Sequence, residues 1–512
     1  MVKAYAHCRR LDGVDYTGVK SREVPPEIWE KIANFIPRDE LLKLYTVNSA
    51  FLNVVLNLKY KRVDLSNEPD RPQAELRRKL DRLRNQFVAG RIRSLYIRPW
   101  RIDEEQAVPT SLRSRVKLGL KSLVDPEFPE FYEKEQLKKR IFDDVNVVLD
   151  AVAACKHGIT EYSIDWDEQP RYHAALFSHF LSPLLDLAHN LQKLHLKVPV
   201  DSFRALFPIG RKFEFPELRR LQELTLTLST GTLPKAEIDY HLDTLVVFIH
   251  NVFRTLKSLS IATTSSSEYV DLTHFFETLE GESYLHHFSL SIPSGNYHLS
   301  NPLALGRFLR RHRNTLRSLA LRSPIADITQ RTPAQWPVEA IKGVKFPELM
   351  TLHLALGGNS ERLDDVIHVL YSCPTTLHTL LLENRVLPSQ DVEYLISALD
   401  HPAPGGGVKR LRVTVKTLND TFLDALFHRL PQLEDVEIVF KRLAGQPGDP
   451  FSDLLQHLKG RIYVASQVKR LQLEVVQSPV PVLLPNFAKN LLYAAFYSSL
   501  PLLKDFVSHT LP

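Results

Sequence analysis

The chain has 512 residues, 81 of them leucine and 19 glycine, so it is leucine-packed and poor in flexible turns. Apolar residues at 44% and charged residues at 24% exclude a disordered, collagenous or coiled-coil chain and leave a globular protein with a large core. The 65 Lys and Arg against 59 Asp and Glu give a net charge of +6, but residues 1–101 alone hold 21 bases and 12 acids, a net of +9, and the remainder nets −3.

Residues 1–20 read as an N-terminal tail in which Lys3, His7, Arg9 and Arg10 lead into no apolar stretch of the secretory type. No run in the chain approaches the ~18 uninterrupted apolar residues of a spanning helix. Cys8, Cys155 and Cys373 are odd in number and far apart, which fits neither a disulfide framework nor a paired zinc motif. These features predict an intracellular chain, cytoplasmic or nuclear, with no membrane partner.

Residues 21–65 predict three small helices. Val24-Pro25-Pro26-Glu27 starts the first, with Pro in the first turn where the missing amide hydrogen costs nothing, and Ile28, Trp29, Ile32, Phe35 and Ile36 mark its apolar side. Pro37-Arg38-Asp39 breaks it; Leu41, Leu42, Leu44 and Tyr45 begin a second helix. Val47 leads through Asn48-Ser49 into a third carrying Phe51, Leu52, Val55 and Leu56. So short a unit is at the edge of independent stability. Ile28, Ile32, Ile36, Leu41, Leu44 and Val47 are read as exterior, more apolar side chains than the segment can bury, and so as an interface.

This segment resembles an F-box. The family pattern of Leu-Pro-x-Glu-Leu, then Ile, an apolar residue with Pro, Asp, Leu, and later Val-Ser and an aromatic is met by Val24, Pro25, Glu27, Ile28, Ile32, Ile36, Pro37, Asp39, Leu41, Leu44, Val47, Ser49 and Phe51. Val24 replaces the usual Leu and Phe51 a common Trp, so both contacts would be slightly smaller. The resemblance implies docking to the Skp-family adaptor, and hence to the cullin scaffold of a ubiquitin ligase, through Val24, Pro25, Ile28, Trp29, Ile32, Ile36, Pro37, Leu41, Leu44, Val47 and Phe51. The residue-level alternative is that the unit caps the open end of the domain that follows.

Residues 66–90 read as a basic linker helix. Between 71 and 101 there are ten bases and two acids, with Leu76, Leu80, Leu83 and Phe87 at helical spacing, so one face packs and the others are positive. Nucleic-acid binding through Arg77, Arg78 and Arg82 is a third reading and ranks last, because interleaved aromatics for base stacking are lacking; an acidic protein partner would be served equally well.

From residue 91 to 478 one pattern recurs: apolar, two polar, apolar, one polar, apolar. Examples are Ile92-Leu95-Ile97, Ile159-Tyr162-Ile164, Leu224-Leu226 after Leu221, Leu316-Leu319-Leu321, Leu377-Leu380-Leu382 and Val468-Leu471-Leu473. From 159 to 468 the ten steps average about 31 residues. The last two apolar positions alternate like a strand with one buried face. Between them, Leu305, Phe308, Leu309 and His312, or Leu363, Val366, Ile367 and Leu370, keep helical spacing. Each unit therefore reads strand, loop, helix, loop; armadillo or HEAT repeats lack the strand signal. The pattern resembles the leucine-rich repeat and implies an α/β solenoid, a curved parallel sheet with helices on its convex side. It departs from that family in its longer step and in lacking the Asn or Cys that follows the strand, where Asp167, Pro199, Ser229, Pro293, Pro324 and Arg385 stand instead, so an irregular curve is expected. The 67-residue gap between the strands at Ile92 and Ile159 must hold an unrecognised unit or an insertion near residues 99–140. Residues 479–512 read as a C-terminal helical cap.

No phosphate-binding glycine loop, dinucleotide fingerprint, zinc-protease motif or nucleophile elbow occurs. Gly405-Gly406-Gly407 reads as a turn, Cys155 and His157 as a helix end without further ligands, and Asp165-Trp166-Asp167-Glu168 as a solvated loop. The expectation is a non-enzymatic protein without cofactor or metal: the substrate-recognition subunit of a Skp-cullin-F-box ligase, holding an unknown protein substrate on strand positions such as Gln192, Lys193, Gln222, Glu223, Lys257, His378 and Arg410, with His286 and His287 on a solvated strand face. A repeat scaffold or inhibitor is the rival reading.

Overall fold

A computed structural model of the chain describes residues 24–66, 73–98, 139, 146, 148–165, 184, 187, 189–201, 203, 218–230, 233–264, 270–279, 281, 284–293, 298–323, 335–356, 363–373, 375–400, 407–444, 450–475 and 486–510. It divides into one unit of residues 1–196 and 208–220 and a second of residues 197–207 and 221–512.

The first unit begins with α1 (Pro26–Phe35), α2 (Arg38–Leu41) and α3 (Ser49–Tyr60). The second helix starts earlier than predicted and is one turn long. Pro37 serves as its N-cap, and Asp39 and Glu40 complement the positive end of its dipole. Asn48 caps α3 by accepting a hydrogen bond from the Phe51 amide at 2.8 Å. Then come β1 (Arg62–Ser66), α4 (Gln73–Leu83), α5 (Gln86–Ala89), β2 (Ser94–Arg98), β3 (Glu161–Asp165) and β4 (Lys193–Pro199), whose last three residues are counted with the second unit. The repeat thus starts at β1, one strand before residue 91: Tyr60-Val63-Leu65 carries the same apolar spacing. The basic helix α4 is the helix of that first repeat and not a linker ahead of the array, with Leu80 and Leu83 buried. Strand β2 pairs directly with β3, Ser94 opposite Glu161. No strand therefore lies between them in the sheet, and the long gap is inserted between sheet neighbours; most of it lies outside the described residues.

The second unit continues with β5 (Glu223–Ser229), α6 (Lys235–Val252), β6 (Ser258–Thr263), α7 (Thr273–Thr278), β7 (His287–Ser291), α8 (Pro302–His312), β8 (Ser318–Arg322), α9 (Trp336–Ile341) and β9 (Thr351–Ala355). It ends with α10 (Leu363–Ser372), β10 (Thr379–Glu383), α11 (Ser389–Leu399), β11 (Arg410–Leu418), α12 (Asp420–Arg429), β12 (Asp435–Leu443), α13 (Pro450–Lys459), β13 (Arg470–Val475), α14 (Asn486–Ser499) and β14 (Asp505–Thr510). The C-terminal segment therefore carries a further helix-and-strand step beyond a helical cap.

Within each unit, strands neighbour one another in chain order, and their pairings are parallel. An unbroken row of paired apolar residues runs from Leu224 on β5 through Leu259, Phe288, Leu319, Leu352, Leu380, Leu411, Val436 and Leu471 to Phe506 on β14. Almost all are wholly buried, and each such side chain contributes about 1.5–3 kcal/mol. At Phe308 of α8 the core turns aromatic, with the rings of Phe276, Phe288 and Phe253 at 5.5, 5.1 and 6.4 Å.

A backbone ladder joins successive steps where an asparagine ladder is missing. At one strand entry after another, a single carbonyl of the preceding repeat accepts two consecutive amides. His286 O takes Arg317 and Ser318 N–H, Arg317 O takes Met350 and Thr351, Met350 O takes His378 and Thr379, and His378 O takes Lys409 and Arg410, all at 2.8–3.0 Å. Because main chain supplies this ladder, it makes no demand on side-chain identity. In the first unit it is reinforced by Arg93, which donates to the carbonyls of Gly90, Ile92 and Gly158. Gly158 suits this crowding, since a Cβ there would lie 2.5 Å from Ile92 O.

Candidate functional site

Helix α1 carries two apolar stripes. Trp29, Ala33 and Ile36 form one; Ile28, Ile32 and Phe35 form the other, one residue or about 100° away around the helix. The first stripe is used inside the small unit. Ala33 is buried with Leu41, Phe51 and Val55, and Trp29, Ile36 and Val54 pack against them. The Trp29 and Phe51 rings lie 5.6 Å apart. The second stripe faces solvent: Ile28 is 43%, Ile32 39% and Phe35 89% exposed. Val24 before the helix, and Leu42, Tyr45 and Val47 in the turns between α2 and α3, are exposed too.

The expected docking residues therefore separate into three groups. Val24, Pro25, Ile28, Ile32, Pro37 and Val47 are on the surface, and Trp29, Ile36 and Leu44 are half-buried. Leu41 and Phe51 are in the core, 2% and 4% exposed, which corrects the reading of Leu41 as an exterior residue. Leu41 closes α2 onto α3, packing with Ala33, Phe51 and Val55 beneath the exposed stripe. Phe35 is not among the expected docking residues; the helical period fixes its stripe, but only the packing of its neighbours leaves it uncovered.

Three arginines of the charged stretch after the helical unit are committed to structure. Arg91 donates to Asn57 Oδ1 at 2.5 Å, to Asn53 Oδ1 at 2.9 Å and to Asn53 O at 3.3 Å, and its guanidinium lies 4.3 Å over the Phe87 ring. Arg84 reaches Asp150 at 3.3 Å. With Arg93 binding three carbonyls, these three arginines fasten α3, the first strands and their turns.

On the strand faces turned away from the leucines, the second unit has two chemistries. Across β5 to β8 the paired residues are small: Thr225, Ser260, Ser289 and Ala320 in one row. From β9 onward the row gains charge, with His353, Arg412 and Glu437 beside Leu381 and Gln472, and Arg322 and Glu383 two residues further along their strands join it. Arg322 Nε donates to His353 Nδ1 at 3.0 Å, and His353 Nε2 lies 2.9 Å from Glu383. Arg412 bridges Glu383 at 2.9 Å and Glu437 at 3.1 Å. The His353 hydrogen bond, joined by the charges of Arg412 and Arg322, holds the Glu383 carboxyl below the ordinary glutamate value of 4.5. Burial pushes Glu437 the other way, the neighbouring Glu474 adding to it. Of the strand-entry positions expected to meet a substrate, Gln192, Lys193, Gln222, Lys257 and Arg410 are exposed, and Glu223 and His378 half-buried. His287 is exposed, His286 half-buried.

Two of the cysteines are core residues. Burial raises the Cys155 thiol to about 11 and the Cys373 thiol to about 12, so neither is a thiolate at neutral pH; Cys8 lies outside the described residues. Asp165 accepts the Tyr96 hydroxyl at 2.7 Å; Trp166, Asp167 and Glu168 lie outside the described residues, as do Gly405 and Gly406. Gly407 has φ +120°, a turn conformation. Among the described residues no group of three His, Cys, Asp or Glu is placed to hold a metal ion, and no helix is long and apolar enough to cross a membrane. No protein-family model matches the chain, and no curated protein matches it.

Proposed function

We propose that the protein is the substrate-recognition subunit of a cullin-RING ubiquitin ligase of the Skp-cullin-F-box kind, acting in the cytoplasm or nucleus. In this reading α1–α3 are an F-box that docks a Skp-family adaptor and through it the cullin scaffold, and a leucine-rich-repeat-like array holds a protein substrate. The observation that carries the reading is the stripe of Val24, Ile28, Ile32 and Phe35. It is exposed on a helix whose neighbouring stripe is already packed, and three of its four residues fall on positions of the F-box pattern. An uncovered apolar helix face of this kind marks an interface. The chain itself performs no bond chemistry here; it raises the effective concentration of substrate lysines near a charged conjugating enzyme.

The test is co-purification of the full chain with a Skp-family adaptor, expected for the wild type and abolished by Ile32→Asp. Undiminished recovery of the adaptor with the variant sinks the assignment. A second reading, a scaffold or inhibitor whose helical unit only caps the array, has support in the Arg91 contacts to Asn53 and Asn57 on α3. Capping uses α3 and leaves the α1 stripe without a role. A wild-type chain that recovers no adaptor, yet loses stability when Asn53 and Asn57 are replaced by Ala, favours that reading.

A further inference from the structure

Residues 283–326 contain six arginines and no acidic residue. The array beyond residue 101 nets −3, so this segment is a local reversal of its surroundings. Four of the six gather at the C-terminal end of α8 and just past it: Arg307, Arg310, Arg311 and Arg313 line one shallow depression together with Asn314. The spacing explains the gathering. Positions 307, 310 and 311 are related by three and four residues and share the solvent side of α8, while Ala304, Leu305, Phe308, Leu309 and His312 fill its inner side. Arg313 and Asn314 follow where the helix ends.

Two of the four guanidiniums are engaged. Arg307 pairs with Glu277 on α7 at 2.7 Å, and Arg311 donates to the carbonyl of Leu279 at 2.9 Å. Among the described residues no hydrogen bond or ion pair reaches Arg310 or Arg313. Basic residues in a last helical turn are ordinarily accounted for by the carbonyl end of the helix dipole, which supplies about half a negative charge. Four guanidiniums against one carboxylate and that half charge leave roughly two and a half positive charges uncompensated among the described residues. Glu280 and Glu282 lie outside them.

We propose that this depression binds a phosphate group carried on a partner protein. Several planar forks converging on one small depression match a compact dianion with three acceptor oxygens, and Asn314 adds an amide donor. A row of separate carboxylates, or a nucleic-acid backbone, would call for a longer basic track with stacking aromatics; this group is confined to two helical turns. The site lies on the helix side of the array, apart from the strand faces, and does not depend on the ubiquitin-ligase reading.

The test is fluorescence anisotropy with the full chain and a labelled glycine-serine peptide bearing one phosphoserine, beside its unphosphorylated form and a ten-residue oligothymidine. Three proteins are compared: the wild type, Arg310→Gln with Arg313→Gln, and Arg78→Gln with Arg82→Gln as a control of equal charge change on α4. Arg310 and Arg313 have no partners among the described residues, so the first variant should keep the wild-type Tm and circular dichroism. The expected result is saturable binding of the phosphopeptide to the wild type and control. Binding should be about tenfold or more weaker to the Arg310/Arg313 variant, and about tenfold or more weaker for the unphosphorylated peptide. Absence of saturable phosphopeptide binding to the wild type overturns the proposal, as does an equal loss in the control. Tighter binding of the oligothymidine, lost with Arg310 and Arg313, also overturns it and makes the site one for nucleic acid.

Discussion

Helices α1 and α10 carry nearly the same apolar spacing and meet opposite fates. In α10, Leu363, Val366, Ile367 and Leu370 are all buried, because a parallel strand and the next repeat's helix stand on that side. In α1, Trp29 and Ala33 are inside while Ile28, Ile32 and Phe35, at equally regular spacing, are outside. Periodicity says that a helix has an apolar face; neighbours decide whether the face is covered. The repeat helices have neighbours built into the period, whereas α1 has α3 on one stripe and solvent on the other. The α1 stripe is therefore the place to look for something the described residues do not supply.

Substitutions can sharpen that contrast. The largest loss is expected in the covered region: Phe308→Ala empties a wholly buried site ringed by Phe276, Phe288 and Phe253 and should cost about 3–5 kcal/mol, read in chemical denaturation. Leu41→Ala should cost about 2–4 kcal/mol in the helical unit, because Leu41 is core there. Its effect on adaptor binding would follow the loss of structure and be restored by Leu41→Met, a volume-conserving change. If Leu41→Ala left stability unchanged, the division of the unit into inner and outer stripes would be wrong.

Glu383→Gln should cost about 1–2 kcal/mol at neutral pH by leaving His353 and Arg412 without their carboxylate. The sign with pH is fixed by the depressed carboxyl. Its contribution is present above the ordinary value of 4.5 and is lost as pH falls below it, so the gap between wild type and variant should narrow in acid. Glu437→Gln should behave oppositely. Burial raises that carboxyl, so its ionised form burdens the folded state, and the variant's relative stability should improve as pH rises. Parallel profiles for the two variants would contradict the network. The smallest stability effect, within about 0.5 kcal/mol, is expected for Ile28→Asp or Ile32→Asp on the exposed stripe.

Much of the array was legible in the sequence because its repeat spacing and its strand alternation agree. The apolar pairs Leu319 and Leu321, Leu352 and Leu354, or Leu471 and Leu473 sit on strands in the predicted phase and are buried. The first strand escaped notice because Tyr60-Val63-Leu65 follows a helix without a break, and the last because Ser508 stands where its final apolar residue would be. The carbonyl ladder leaves no trace in side chains and could not be read at all. In the helical unit, the motif residues and the helix count were legible, but inside and outside were not: Leu41 and Ile32 are both apolar, both in short helices, and separated only by three-dimensional packing. The arginine depression was visible as an acid-free stretch, yet it was hidden by summing charge over the whole array.

The central claim is that the uncovered face of α1 is a docking surface. It is tested most directly by equilibrium binding of a purified Skp-family adaptor to the full-length chain, wild type beside Ile32→Asp with Phe35→Asp, with circular dichroism and Tm recorded for both. The account predicts saturable binding to the wild type, weakened about a hundredfold or more in a variant that remains folded. No binding to the wild type, or equal affinity for both proteins, would contradict it.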